Sequence, residues 1–131
     1  MRSLRGRSIL LVEDDEDVRS VIEGLLAPMC ARVVTASNGP EGLALIAAET
    51  FALVVCDLHM PASSGVELCE SVRRAHPETV VLAISGYLSE ENAKALARLN
   101  VDFLAKPFRA TALYGAVERA QQRQLEGGEA K

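Results

Sequence analysis

Carboxylates, a hydroxyl and an ammonium recur in this sequence where an apolar run stops. Glu13 and Asp14 follow Ser8-Ile9-Leu10-Leu11-Val12, Asp57 follows Ala52 to Cys56, Ser85 follows Thr79 to Ile84, and Lys106 follows Val101 to Ala105. Near-continuous apolar runs of this length read as strands covered on both faces. In an open α/β sheet, ligands bind outside the carboxyl ends of such strands. Taken singly, a strand-end Asp or Ser is more often a turn cap, and a lone Lys is more often a solvated charge. Specificity lies in their joint placement. Three carboxylates within about 4 Å of one another would repel by up to ~4 kcal/mol per pair at an effective dielectric of about 20. A raised pKa or a divalent cation relieves that repulsion. Carboxylate oxygens with room left for water suit Mg²⁺. A metal-bound Asp57 is then a plausible oxygen nucleophile towards phosphorus. Lys106 supplies a point charge for phosphate, Ser85 a rotatable hydroxyl, and Gly86 room for approach.

The elements between these residues must bring them together. Val18, Val21, Ile22, Leu25, Leu26 and Met29 recur at helical spacing, so a first helix follows the acidic run Glu13 to Asp17. Asp15, Glu16 and Asp17 favourably oppose its dipole, whereas Glu13 and Asp14 precede it and are not needed as caps. A second strand, Arg32 to Ala36, leads through Asn38-Gly39-Pro40 into a helix that reaches about Thr50 and packs Leu43, Ile46 and Ala47. After Asp57, Pro61 and Gly65 shape a loop, and Gly65 to Ala75 forms a helix with Val66, Cys69 and Val72 inward. Ser89 starts a fourth helix that reaches about Leu99. A fifth, from Ala110 to about Gln124, packs Leu113, Ala116, Val117 and Ala120. Five strands alternating with five helices predict a single-domain, doubly wound parallel sheet with right-handed crossovers. The expected strand order is 2-1-3-4-5, which sets the first and third strands side by side. Residues 1–7 and 125–131 are expected to be tails around a domain of residues 8–124.

Composition narrows the function classes. At 131 residues, with 49% apolar and 24% charged side chains, the chain is long enough for one real core. Its net charge of -4 argues against a nucleic-acid surface, despite Arg2, Arg5 and Arg7 in what reads as a solvated tail. No apolar run approaches the roughly 18 residues of a membrane span, and none near the start resembles a secretory segment, so a cytoplasmic location is expected. Cys30, Cys56 and Cys69 lack metal-site spacing and read as reduced and mostly buried.

Glu13-Asp14, Asp57-x-x-Met60-Pro61-x-x-x-Gly65, Ser85-Gly86 and Phe103-x-x-Lys106-Pro107-Phe108 together resemble the receiver domain of two-component response regulators, over about Ser8 to Gln122. That resemblance implies a flavodoxin-like fold and an Asp57 that accepts a phosphoryl group from a histidine kinase phosphohistidine, or from a phosphotransfer protein, in a phosphorelay. It implies Mg²⁺ held by Glu13, Asp14, Asp57 and the main-chain carbonyl of His59, with Lys106 on the phosphoryl oxygens and a cis Lys106-Pro107 bond. A switch is also implied, in which Ser85 turns towards the phosphoryl group and Phe103 swings inward. The face of the fourth helix, fifth strand and fifth helix then changes towards a downstream protein or a second copy. Phe103 lacks the hydroxyl of a Tyr, so contacts needing one are lost. His59 and Tyr87, two residues beyond Asp57 and Ser85, are expected to tune the lifetime of the acyl phosphate.

Rival readings remain in view. A flavodoxin-like cofactor binder needs a Gly/Ser/Thr-rich loop after the first strand, where this chain has acids that would repel a flavin phosphate. A magnesium phosphohydrolase with an Asp nucleophile carries Asp-x-Asp, and His59 stands where its second acid belongs, which favours a lasting phosphoryl adduct over turnover. A pseudo-receiver that binds proteins without phosphorylation would lack Asp57, Lys106 or the acidic pair, and all are present.

Overall fold

Along each central strand, successive side chains enter opposite cores, and this alternation sets the layers. In the computed structural model, which describes residues 3–60 and 63–129, the strands of the main sheet are β1 (Ser8–Val12), β2 (Arg32–Ala36), β3 (Leu53–Asp57), β4 (Val80–Ser85) and β5 (Asp102–Ala105). All pair in parallel in the order β2-β1-β3-β4-β5. The helices are α1 (Glu16–Leu26), α2 (Gly39–Ala48), α3 (Gly65–Ala75), α4 (Glu90–Leu99) and α5 (Ala110–Glu129). Leu10, Val12, Val54, Cys56, Val81 and Ala83 pack with α2, α3 and α4. Ile9, Leu11, Leu53, Val55, Leu82 and Ile84 pack with α1 and α5 on the other face. This is the doubly wound arrangement that the strand and helix alternation predicts.

Helix starts follow local chemistry. Asp15 caps α1 by accepting from the Val18 N–H at 2.9 Å. Asn38, Ser64 and Ser89 do the same for α2, α3 and α4, each satisfying an otherwise orphan donor. Asn100 ends α4 in the left-handed region at φ 57, a conformation that Asn tolerates.

Several packing expectations are corrected. Val21 is 63% exposed and Leu43 39% exposed, and Ala47 faces out as well. The buried residues of α2 are Gly39, Gly42 and Ile46. A Cβ on Gly42 would stand 3.1 Å from Val12. The inward stripe is thus partly glycine, which carries no hydrophobic signal, and the close approach it permits rotates Leu43 and Ala47 outward. In α3, Leu68 joins Cys69 and Val72 in the core, with Val66 only partly covered. The α5 residues Leu113, Ala116, Val117 and Ala120 are buried as expected. That helix nevertheless runs past Gln124 to Glu129, since two glycines weaken a helix by about 1 kcal/mol each without stopping it. At the other end, Leu4 is buried in the core, so residues 3–7 are not simply a solvated tail. The loop role expected of Pro61, like Met1, Arg2, Ala130 and Lys131 of the tails, lies outside the described residues.

Gly65 is held by contact rather than by torsion. Its N–H donates to the Leu58 carbonyl at 3.1 Å. A Cβ there would fall 2.3 Å from the Asp57 carbonyl oxygen and 2.6 Å from Leu58 Cα. Both are backbone atoms and cannot step aside. Gly65→Ala is therefore expected to destabilise the fold by ~1–3 kcal/mol in urea unfolding. Gly24→Ala, at an exposed position of α1 with nothing within 4 Å of the added carbon, is expected to stabilise by ~0.5–1 kcal/mol.

Candidate functional site

The register of β1, β3, β4 and β5 decides which strand ends meet. Val12 lies beside Cys56, so Glu13 leaves the sheet at the level of Asp57. Asp57 pairs with Ile84, and Ser85 with Ala105, which brings Lys106 round to the same edge. Carboxylate oxygens of Glu13, Asp14 and Asp57 all lie within 4.8 Å of one another. Glu13 and Asp57 are buried, while Asp14 is open to solvent.

Lys106 is the group that makes this crowding tolerable in the protein itself. Its Nζ lies 2.7 Å from Glu13 Oε1 and 2.9 Å from Asp57 Oδ2, so one ammonium bridges two carboxylates. The remaining carboxylate oxygens are also used. Asp15 N–H donates to Glu13 Oε2 at 3.2 Å, and His59 N–H donates to Asp57 Oδ1 at 3.0 Å. Arg19 adds a guanidinium bond to the Glu13 main-chain oxygen at 2.9 Å. Burial pushes the Glu13 carboxyl up to about 7, against the lowering bonds from Lys106 and the Asp15 N–H and with help from the Asp57 charge. For Lys106, burial favours the neutral amine. Its bonds to Glu13 and Asp57, and their charges, outweigh this and raise it above the ordinary lysine range.

Two routes relieve carboxylate repulsion on sequence grounds, a raised pKa and a divalent cation; the structure adds the lysine as a third. The donor set still fits a hard cation. It consists of carboxylate oxygens alone, and Asp14 keeps one side of the cluster in water, as an ion that retains part of its hydration shell requires.

The other expected site residues sit around this cluster. Ser85 is fully buried, and its hydroxyl donates to the Tyr87 carbonyl at 2.7 Å. His59 and Tyr87 are exposed, with their rings stacked at 6.4 Å between centroids. Phe103 is half-buried at the edge of the core that α4 covers. The Lys106-Pro107 peptide is cis. Sequence reasoning missed an open apolar trough of about 560 Å³ beside Lys106 and Gly86, lined by Val18, Val21, Leu25, Pro107 and Phe108. Val21 is the signal that could have found it: an apolar side chain in the helical stripe that the core does not take.

Residues 9–118 match the family described as the response regulator receiver domain. Response regulator protein FleR of Pseudomonas aeruginosa is 34% identical over 122 residues, covering 92% of this chain and 26% of that protein. The nitrogen assimilation regulatory protein NtrX of Azorhizobium caulinodans is 36% identical over 118 residues, 88% of this chain and 26% of that protein. Regulator of RpoS of Escherichia coli is 35% identical over 105 residues, 79% of this chain and 31% of that protein. The chain thus spans between about a quarter and a third of the length of these relatives. Among solved structures, a CheY-like response regulator receiver domain protein from Methanospirillum hungatei superposes with a TM-score of 0.84 at 27% identity, covering 93% of this chain and 98% of that one. Among the described residues, no helix is long and apolar enough to cross a membrane.

The raised Glu13 carboxyl has a consequence for stability in chelator-treated protein. Its value in the folded chain, about 7, lies above the ordinary 4.5, so the folded state holds this proton more tightly than the unfolded one. That contribution is complete below pH 4.5 and is lost as pH rises through about 7, with a slope of at most ~1.4 kcal/mol per pH unit. Lys106 titrates above that window. Urea unfolding of Glu13→Gln across pH 5 to 8 is expected to show a flatter profile than the parent chain.

Proposed function

The chain belongs to the receiver domain family of two-component response regulators, and on that premise we propose that it is a phosphoacceptor whose acceptor is Asp57. The observation that carries this is the single ammonium of Lys106 shared by Asp57 and Glu13. It sets a cation against Asp57, the less deeply buried of the two carboxylates, where a phosphoryl group would gather negative charge. The phosphodonor is the phosphohistidine of a sensor kinase or of a phosphotransfer protein. A carboxylate oxygen of Asp57 forms a bond to phosphorus as the P–N bond to the donor imidazole breaks. The imidazole leaves with that electron pair and takes up a proton. The product is an acyl phosphate, with Lys106 free to follow the charge from the carboxylate to the phosphoryl oxygens.

Mg²⁺, when bound, would neutralise the phosphoryl oxygens during transfer. Glu13, Asp14, Asp57 and the His59 carbonyl would hold it, with Glu13 giving up its proton. The apolar trough beside Lys106 offers a donor protein a surface next to the reacting oxygen. The unit that carries this function is residues 8–124, acting in the cytoplasm.

The added phosphoryl group brings about two negative charges and new acceptor oxygens. Ser85 turns its hydroxyl to one of them, and Phe103, half-buried already, moves further in. The face of α4, β5 and α5 then presents a different surface to a downstream protein or to a second copy. This is a shift between two packings. His59 stands where such phosphohydrolases carry their second acid, and its Nε2 is engaged with the Tyr87 carbonyl, which favours a signalling receiver that dephosphorylates slowly over a phosphohydrolase.

Incubation with acetyl phosphate and Mg²⁺ is expected to give one phosphoryl adduct by intact mass, absent in Asp57→Asn. Sustained phosphate release would point to the phosphohydrolase, and no adduct at all to a pseudo-receiver. Tyr87 is 69% exposed beside the His59 ring, where its bulk obstructs an in-line water. Tyr87→Ala is expected to shorten the acyl-phosphate half-life a few-fold in a dephosphorylation time course, and an unchanged half-life would remove Tyr87 from this role.

A further inference from the structure

Beside the carboxylate cluster, two hydrogen bonds meet on one atom, the main-chain oxygen of Tyr87. The Ser85 hydroxyl donates to it at 2.7 Å, and His59 Nε2 lies 2.9 Å from it. A carbonyl only accepts, so the imidazole carries a proton on Nε2. A hydroxyl has one proton to give. While that of Ser85 is on the Tyr87 oxygen, it is not available to any oxygen at Asp57. His59 is also tied to Asp57, through its own N–H to Oδ1 at 3.0 Å. One residue therefore links the end of β3 to the loop after β4. In segment 85–87 the Ser85 carbonyl accepts from the Lys106 N–H at 2.8 Å, but Gly86 beyond it is exposed, with nothing within 4 Å of where its side chain would begin. The Tyr87 N–H returns to Ser85 Oγ, at 3.1 Å.

We infer that the His59 imidazole is a positioning residue that holds segment 85–87, and with it the Ser85 proton, turned away from Asp57. It thereby sets how many unphosphorylated chains have Ser85 free to engage a phosphoryl group. The consequence for signalling rests on Asp57 being the phosphoacceptor; the contact itself does not. His59 here acts before any phosphoryl group arrives, which separates it from the part of Tyr87 in acyl-phosphate lifetime. The bond is open to solvent and contributes as an ordinary hydrogen bond. Its loss should move the Ser85 equilibrium by about 2- to 10-fold.

Nuclear magnetic resonance on the whole chain tests this at one fixed pH, comparing wild type, His59→Ala and His59→Gln before and after acetyl phosphate with Mg²⁺. In His59→Ala, three-bond couplings should show Ser85 χ1 shifted about 2- to 10-fold towards a second rotamer. The Gly86 and Tyr87 amides should move along the line joining the wild-type unphosphorylated and phosphorylated positions. His59→Gln, whose amide can still donate to the Tyr87 oxygen, should move both back towards wild type. Wild-type couplings and shifts in His59→Ala would overturn the inference. So would a His59→Gln that behaves as His59→Ala, because ring packing would then be the cause. If wild type takes up no phosphoryl group, the reading of Asp57 fails, while the Ser85 rotamer comparison still decides the His59 contact.

Discussion

One ammonium between two buried carboxylates is the interaction on which the rest of this structure turns. Parallel strands end with their side chains on a common edge, and this chain puts acids at two adjacent ends. Without Lys106, Glu13 and Asp57 would be left close together, both taken out of water. Removing one partner of a buried ion pair typically costs several kcal/mol. The lysine arrives from β5, three strands along from β1, so its bridge also ties the sheet across the gap where a ligand would enter. Stability and chemistry use the same bond.

Sharing that bond also explains why the edge must be built from close backbone packing. Glu13 and Asp57 stay within reach of one ammonium only if the strand ends and their loops are held tightly. Asp57 takes an N–H from His59, and Gly65 lies against the Asp57 carbonyl where no side chain would fit. Asp15 serves α1 twice, by capping it and by donating its own N–H to Glu13. The helix start and the carboxylate are thereby fixed together. Asp14, between them, is left pointing at water.

What could be read from the residues alone follows from what each signal measures. The ends of apolar runs are sharp changes in composition, so Glu13, Asp57, Ser85 and Lys106 could be placed at strand ends and the strand order inferred. The inward face of α2 could not, because Gly39 and Gly42 occupy it and hydropathy is silent on glycine. Val21 fits the apolar stripe of α1 by spacing, but it lines an open trough instead of the core, and spacing does not say where the core stops. Lys106 is separated from Asp57 by 49 residues and from Glu13 by 93. Its type suggested phosphate. Its bond to both acids depends on how far a flexible side chain reaches, and no pattern records that. The meeting of His59 with the Tyr87 carbonyl is hidden for the same reason, since one partner is main chain.

On the proposed function, these contacts leave the site both stable and ready to change. On that reading, a bound cation would take over part of the charge that Lys106 neutralises, and a phosphoryl group would give its ammonium new oxygens to pair with. Ser85 gives its one proton to a neighbouring carbonyl in an exposed loop, an arrangement that costs little to undo. Phe103 is only half-covered, at the rim of the core. None of these is a weak point in the core, where β1, β3 and β4 are sealed on both faces. The groups proposed to move lie at the edge, where Lys106 and Ser85 are held by polar contacts that phosphoryl oxygens would replace. An alternative packing can then be reached without disturbing the sheet that positions Asp57.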